Sequence, residues 1–170
     1  WLATTASTPS TSPLPPNACG PSFLRCPQAP DRMPLPESIR RAWTETDYRV
    51  RLSYGGFASI YCGSPLPVPL LAMLQRADDP WGYITAWNPA GVLLPLATNK
   101  IRQRRLRDEL KADRHRFTGG IGVGPSDWRE PSLFVLGITY AQLDDMARRF
   151  GQLGVVRGTG AGPAELHELV

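Results

Sequence analysis

Hydrophobic and polar residues alternate strictly over residues 48–54, where Arg49, Arg51 and Ser53 fall on the face opposite the apolar side chains. Successive side chains of a strand point to opposite faces, so this pattern predicts a half-buried strand. A continuous apolar run over residues 133–138 instead predicts a central strand that is covered on both faces. Further strands are predicted over residues 57–61, 83–87, 116–123, 153–157 and 165–170.

A helical period marks residues 139–150, which begin with Thr139 and end before Gly151. The spacing of Thr139 and Gln142 predicts a capping box, in which each side chain bonds the backbone N–H of the other residue. A glycine directly after a helix commonly adopts the left-handed conformation that ends it. The predicted apolar stripe consists of Tyr140, Leu143, Ala147 and Phe150.

A longer helix is predicted over residues 99–113, with Thr98 as its N-cap, and shorter helices over residues 36–47 and 70–78. Strands that are separated by two substantial helices predict a two-layer α+β fold. We expect a mixed or mainly antiparallel sheet of about five to six strands, with the helices of residues 99–113 and 139–150 on one face.

The N-terminal segment differs from the rest of the chain. Residues 1–32 are dense in Pro, Ser and Thr and show no apolar period, so we predict a disordered tail. Helical signals begin directly after Met33, the first methionine, and we expect one α+β domain over residues 33–170. One hypothesis is that Met33 is the native start and that the tail is not native. The alternative is a Pro-rich linker from a larger protein.

Composition excludes several classes of protein. The chain is 42% hydrophobic and 20% charged, as is usual for a soluble domain, and no apolar run approaches the about 20 residues that span a bilayer. The N-terminus lacks the features of a secretory signal, so a cytoplasmic location is the default. The three cysteines and the two histidines, His115 and His167, lack the spacing of metal ligands. We expect no metal and no cofactor, and no motif decides whether the protein is an enzyme.

Polar residues are predicted to gather where the strand of residues 83–87 ends. Asn88 follows this strand directly and precedes a proline, which disfavours the right-handed helical conformation at Asn88. Asn99 and Arg102 lie on the inward face of the next helix, and an inward arginine needs partners. We therefore predict that Asn88, Asn99 and Arg102 lie together.

Four sequence blocks, taken in order, resemble the bacterial family called domain of unknown function 3293. They are Thr85-Ala86-Trp87-Asn88-Pro89, Asn99 with Arg102 and Leu106, Trp128-x-Glu130-Pro131-Ser132, and Phe150-Gly151-Gln152. The likeness covers about residues 36–170, with a departure at Leu153-Gly154, where the family usually has a small polar residue and then alanine. The resemblance implies a small soluble bacterial protein and supplies no reaction, cofactor or partner.

The matching positions are mostly polar and lie at the ends of predicted elements. One hypothesis is a cleft that binds a small polar or anionic ligand. The alternative is a buried structural network in which the asparagines cap backbone groups and Arg102 pairs with Glu130. The candidate ligand-binding residues are Thr85, Asn88, Asn99, Arg102, Glu130, Ser132 and Gln152.

A second function class depends on charge. The chain has a net charge of +4, and residues 100–116 hold eight basic residues against three acidic ones, a local net charge of +5. This helix could contact a nucleic acid or another protein. Against that reading, no aromatic residue is interleaved on the helix, and the pairs Arg104–Asp108 and Arg105–Glu109 are predicted to neutralise part of the charge. The candidate basic face consists of Lys100, Arg104, Arg107 and Lys111.

Overall fold

The computed structural model describes residues 35–125 and 128–169. The predicted tail of residues 1–32 and the hypothesis of a start at Met33 fall outside these ranges. The helices are α1 (Glu37–Thr44), α2 (Val68–Leu71), α3 (Leu96–Ala112) and α4 (Tyr140–Arg149), with a 3₁₀ turn at Pro89–Gly91. The strands are β1 (Asp47–Arg51), β2 (Phe57–Ile60), β3 (Pro80–Ile84), β4 (Arg116–Val123), β5 (Arg129–Leu136), β6 (Gly154–Thr159) and β7 (Glu165–Glu168).

The seven strands form one antiparallel sheet in the order β2-β1-β4-β5-β3-β6-β7. This confirms the α+β class, but the expected count of about five to six strands is wrong. The two edge strands, β2 and β7, have only four residues each and show weak alternation. Both lie in ranges that the sequence pattern indicated, 57–61 and 165–170, and each is stabilised by an antiparallel pairing with the strand that precedes it in sequence, so even these short edges belong to the sheet.

The sheet is curled, so that its two edges approach each other. Cys62, which follows β2, bridges to Ala164, and Pro65 bridges to Pro163, just before β7. The concave side holds one apolar core, in which Trp81 and Phe134 are fully buried and in contact. Tyr48 and Tyr83 lie at the edge of this core with their rings in a T-shaped contact.

A second core lies between the sheet and the helices α3 and α4. Leu133 and Val135 of β5 pack there, while the alternate residue Phe134 packs in the concave core. The strand is therefore buried on both faces, which explains its continuous apolar run. The helices contribute Leu106, Leu110, Leu143, Met146 and Ala147.

Two of the three predicted capping features of helices are confirmed. Thr139 and Gln142 form the capping box of α4, and Gly151 follows the helix in the left-handed conformation with φ 68°. The predicted N-cap Thr98 is wrong, because α3 begins at Leu96, directly after Pro95. Pro95 has an extended ψ of 144° and a φ of −55° that suits entry into a helix, so the first turn forms before Thr98. Within the described ranges, no helix has both the length and the apolar character required to cross a membrane.

Adjacent glycines of β4 provide a test of the concave core. A Cβ at Gly120 would lie 2.6 Å from the carbonyl oxygen of Arg49 and 2.8 Å from the hydroxyl of Tyr83. Because the nearest atom belongs to the backbone, we expect Gly120→Ala to lower the free energy of unfolding by about 2 kcal/mol in urea titrations. Gly119→Ala is the matched control, since nothing lies within 4 Å of its Cβ position. Equal stability of the two variants would contradict this packing.

Candidate functional site

The chain leaves the sheet after β3 through a turn that is tied to β5. The hydroxyl of Thr85 donates to the carbonyl oxygen of Pro131 at 2.9 Å and accepts from the backbone N–H of Trp87 at 3.1 Å. Gln103 of α3 accepts from the backbone N–H of Ala86 at 2.9 Å. The backbone groups that β3 can no longer pair are thus satisfied by side chains.

Asn88 is the centre of the predicted polar cluster. Its backbone has φ 44° and ψ 59°, a left-handed conformation that asparagine tolerates better than most residues. Its side-chain oxygen accepts from the N–H of Leu94 at 3.1 Å and from the amide of Asn99 at 2.8 Å, and its own amide donates to Glu130 Oε1 at 3.2 Å. Asn88 is not extended, the usual alternative before a proline, because these contacts hold it in place.

Asn99 lies in the first turns of α3 and is only 2% exposed. It accepts from the N–H of Asn88 at 3.0 Å and donates to Asn88 and to the carbonyl oxygen of Leu94. These bonds close the loop between β3 and α3. The predicted proximity of Asn88 and Asn99 is therefore a direct contact.

Arg102 does not pair with Glu130, so that part of the structural alternative is wrong. Its guanidinium donates to the carbonyl oxygen of Ala86 at 2.8 Å and to that of Phe150 at the end of α4. Gln152 acts similarly, since its amide donates to the carbonyl oxygen of Trp87 at 2.9 Å. Both side chains join the turn after β3 to the end of α4, where unpaired carbonyl groups need donors.

Glu130 belongs to the concave side of the sheet. It lies on β5, alternates with Pro131, and is only 7% exposed. Its side chain accepts a single hydrogen bond, from Asn88, and forms no ion pair with the described residues. Burial raises the pKa of this carboxyl from 4.5 to about 7, and the Asn88 bond opposes the rise only in part.

Glu130 lines a cleft of about 450 Å³. A smaller cavity of about 70 Å³ lies beside it and shares Trp43, Trp128, Glu130 and Gln152 with the cleft. Of the described residues that line the two spaces, Glu130 is the only Asp, Glu, Lys, Arg or His. The smaller cavity also receives Thr85, Ser132, Tyr48, Tyr83 and Gly154, while the cleft receives Ile39, Thr46, Asn88, Leu93 and Leu153.

The inner residues of the smaller cavity already have partners. The hydroxyl of Ser132 donates to the carbonyl oxygen of Glu130 at 3.1 Å. Tyr48 donates to the carbonyl oxygen of Trp43 at 2.7 Å and Tyr83 to that of Arg49 at 3.1 Å, and burial raises the pKa of both phenols. These groups therefore serve as uncharged walls at neutral pH.

Four of the seven predicted site residues line the cleft or the cavity through side chains on the concave side or at its rim: Thr85, Asn88, Glu130 and Ser132. Gln152 also lines both spaces while its amide is bound to the backbone. Asn99 and Arg102 line neither space. Five of the seven predicted residues thus line a space, and three of these, Thr85, Asn88 and Gln152, also fix the turn after β3.

Sequence reasoning missed the aromatic lining. Trp43 lies on α1, and Trp128 precedes β5 and is 38% exposed. Trp128 was part of a matching block, yet no role followed from it because binding was assigned only to polar residues. The density of aromatic residues near element ends was the signal that could have identified them.

The basic face lies at a separate groove. Lys100, Arg104, Arg107 and Lys111 line it, and none of its lining residues belongs to the cleft. The predicted pair of Arg105 and Glu109 forms at 3.2 Å. The predicted pair of Arg104 and Asp108 does not form, because the partner that Asp108 approaches is Lys111, at 4.0 Å.

No cluster of three or more His, Cys, Asp or Glu residues within the described ranges could hold a metal ion. His167, which carried no predicted role, contacts Asp144 at 3.1 Å.

Comparison with known proteins concerns the region that contains the polar cluster. Residues 84–155 match the model of a family described as protein of unknown function (DUF3293). This span runs from the end of β3 to β6 and includes all seven predicted site residues. No curated protein and no solved structure matches the chain. The match confirms the resemblance seen in the sequence, over a shorter span than residues 36–170: residues 84–155 are similar to this family of unknown function.

Proposed function

We propose that the cleft binds a small ligand with a flat apolar body and a cationic or hydrogen-bond-donating group, such as a heteroaromatic amine. The observation that carries the proposal is the position of Glu130. This buried carboxyl lies where the cleft and the smaller cavity meet, and among the described residues one asparagine amide is its only hydrogen-bond donor. The two oxygens of a carboxylate can accept several hydrogen bonds. A ligand that donates to Glu130 would therefore satisfy acceptor capacity that the described residues leave unfilled.

Electrostatics favour a cation or a donor over an anion. The sequence predicted a polar or anionic ligand, with Arg102 among the candidate ligand-binding residues. The guanidinium of Arg102 instead bonds two backbone carbonyl groups, and no other cation lies among the described lining residues. An anion would therefore meet the Glu130 carboxylate without a compensating charge.

The aromatic residues favour a flat ligand. Trp43 and Trp128 line both spaces, and Ile39, Leu93 and Leu153 add apolar surface to the cleft. Indole rings bind flat rings by stacking and bind cations over their faces, with about 0.5–2 kcal/mol for each such contact. The Oε1 atom of Gln152 accepts no hydrogen bond from the described residues and offers a second acceptor.

The volume of the cleft is adequate for such a ligand. At about 450 Å³ it lies within the range of about 300–1,000 Å³ that is typical of small-molecule sites. A lining that is largely apolar and carries a few convergent polar groups is also typical of these sites.

A matched pair of probes tests the proposal on the full chain. We expect tryptamine to bind, as followed by isothermal titration calorimetry, and indole-3-acetate, which has the same ring with a negative charge, to bind at least about tenfold more weakly. Tryptamine binding should strengthen as the pH rises through about 7, because the Glu130 pKa is raised to about 7 and the carboxylate form then predominates.

Two variants and one control locate the binding. Glu130→Gln should remove the preference for the amine, and Trp128→Ala should weaken tryptamine binding about tenfold. Tyr54→Ala is the control, because Tyr54 is a 77% exposed aromatic residue that does not line the cleft. Equal affinity for the amine and the acid, or binding that survives Trp128→Ala unchanged, would contradict the proposal.

A further inference from the structure

A second groove, distinct from the cleft, runs beside α3. It has a volume of about 540 Å³ and is lined by residues of α3, by Trp87 from the turn after β3, and by Pro131 of β5. Its lining on α3 consists of Lys100, Gln103, Arg104, Arg107, Asp108 and Lys111.

The groove is predominantly positively charged. Four of its lining residues are cationic and one, Asp108, is acidic. Lys100, Arg104 and Arg107 form no ion pair with the described residues, and Lys111 reaches Asp108 only at 4.0 Å. By contrast, Arg105 on the same helix pairs with Glu109, which also binds Arg149 at 2.7 Å. Lys100, Arg104 and Arg107 at the groove are therefore left without ion pairs to the described residues, whereas the neighbouring Arg105 of the same helix is paired.

The cations form a row along the helix. Lys100, Arg104, Arg107 and Lys111 follow one another at intervals of three or four residues, so successive members are one turn apart. With a rise of about 1.5 Å per residue, the row is about 16 Å long and its steps are about 5–6 Å. One phosphate group occupies only one step of such a row, whereas a polyanion with regularly spaced charges contacts all of it.

The tertiary structure also supplies the aromatic residue that the helix sequence lacks. Trp87 lines the same groove, although it belongs to the turn after β3. Next to the cations are two donors, Trp87 Nε1 and Gln103 Nε2, that are buried without a hydrogen-bond partner. The groove thus combines positive charge with an indole ring, and the two buried donors belong to residues that line it.

We propose that this groove binds single-stranded nucleic acid, with the cationic row along the phosphate backbone and a base stacked on Trp87. A charged row beside an aromatic platform is the combination that binds single strands without reading their sequence. A strand also fits better than a duplex, since the stacking face of a base is accessible only when it is unpaired. The proposal does not depend on ligand binding at the cleft, because the two sites share no lining residue.

The test measures fluorescence anisotropy of a labelled oligothymidylate of about 12 nucleotides with the full chain. We expect binding that weakens as salt rises from about 50 to about 200 mM, with a slope of log K against log salt near −3 for four phosphate contacts. Arg104→Ala should weaken binding about five- to tenfold and make the slope shallower by about 0.7.

Arg105→Ala is the matched control, because it removes the same charge from the adjacent position of the same helix but not from the groove. It should leave binding within about twofold of the original protein. Trp87→Leu, checked for folding by circular dichroism, should weaken binding without changing the salt slope. If Trp87→Leu does not fold, the comparison of Arg104→Ala with Arg105→Ala decides the test.

Three results would overturn the proposal. The first is no binding of the oligonucleotide at low salt. The second is an equal loss in Arg104→Ala and Arg105→Ala, which would indicate attraction to overall charge alone. The third is displacement of the oligonucleotide by inorganic phosphate or by an acidic peptide at concentrations equal to its own, which would show that no strand is recognised.

Discussion

Glu130→Gln is expected to make the protein more stable at pH 8, by about 3 kcal/mol, and to remove a pH dependence that the original protein shows. Burial raises the pKa of Glu130 from 4.5 to about 7 in the folded state. Each tenfold change in proton affinity corresponds to about 1.4 kcal/mol, so ionising this carboxyl inside the fold destabilises it by about 3 kcal/mol. Glutamine has almost the same shape and still accepts from the Asn88 amide.

The direction of the pH dependence follows from proton binding. Between about pH 4.5 and pH 7 the folded state holds a proton on Glu130 that the unfolded state has released. The stabilisation from this group is therefore complete below about pH 4.5 and is lost as the pH rises through about 7. Urea titrations from pH 4.5 to pH 8 should give free energies of unfolding for the original protein and for Glu130→Gln that agree at the acid end. The two values should differ increasingly toward pH 8.

Glu45→Gln is the control for this experiment, because the Glu45 side chain is 49% exposed and pairs with Arg41 at the end of α1. Its curve should stay close to that of the original protein across the whole range. A constant difference between Glu130→Gln and the original protein would mean that Glu130 does not titrate in the folded state within this window.

Asn88→Ala is expected to lower the free energy of unfolding by about 3 kcal/mol. The substitution removes three side-chain hydrogen bonds, to Leu94, Asn99 and Glu130, and leaves their buried groups without partners. It also places an alanine at φ 44°, a conformation that disfavours a residue with a plain Cβ by about 1 kcal/mol.

Asn88→Gly separates these two contributions. Glycine adopts the left-handed conformation readily but makes none of the three side-chain bonds, so we expect it to be about 1 kcal/mol more stable than alanine in equilibrium denaturation. A loss below about 1 kcal/mol in both variants would show that the network contributes little to stability. Equal losses would show that the backbone conformation at this position contributes nothing.

Stability and binding should respond in opposite directions at Glu130. The glutamine variant is expected to be more stable above pH 7 and to lose the preference for an amine ligand. A bound cation would offset the destabilisation in the original protein, since a ligand stabilises the folded state in proportion to the logarithm of its concentration above Kd. Such opposition is common at binding sites, where a group that binds the ligand often lowers the stability of the protein without ligand.

Each of the two proposed sites includes one residue from the turn after β3. The turn after β3 sends the side chain of Asn88 toward the cleft and lines the groove beside α3 with Trp87. Both residues belong to the span that matches the family of unknown function. The Asn88 network, which holds this turn, therefore supports both sites.

The amino-acid sequence by itself determined several features of local structure. Alternation at residues 48–54 predicted β1, and the capping box of Thr139 with Gln142 predicted the start of α4. These features depend on residues within about four positions of each other, so the local sequence pattern is enough to predict them. The direct contact of Asn88 and Asn99 was also predictable, because only 11 positions separate them.

The tertiary structure alone decided the partners of the polar groups and the composition of the cleft. Arg102 bonds the carbonyl oxygen of Phe150, 48 positions away, and Glu130 accepts from Asn88, 42 positions away. Trp43 of α1 and Trp128 before β5 line the same cleft, although 85 positions separate them in the sequence. Hydrophobic periodicity specifies which face of an element is buried, but the order of strands, and with it the neighbours of each side chain, is set by packing between segments that are distant in sequence.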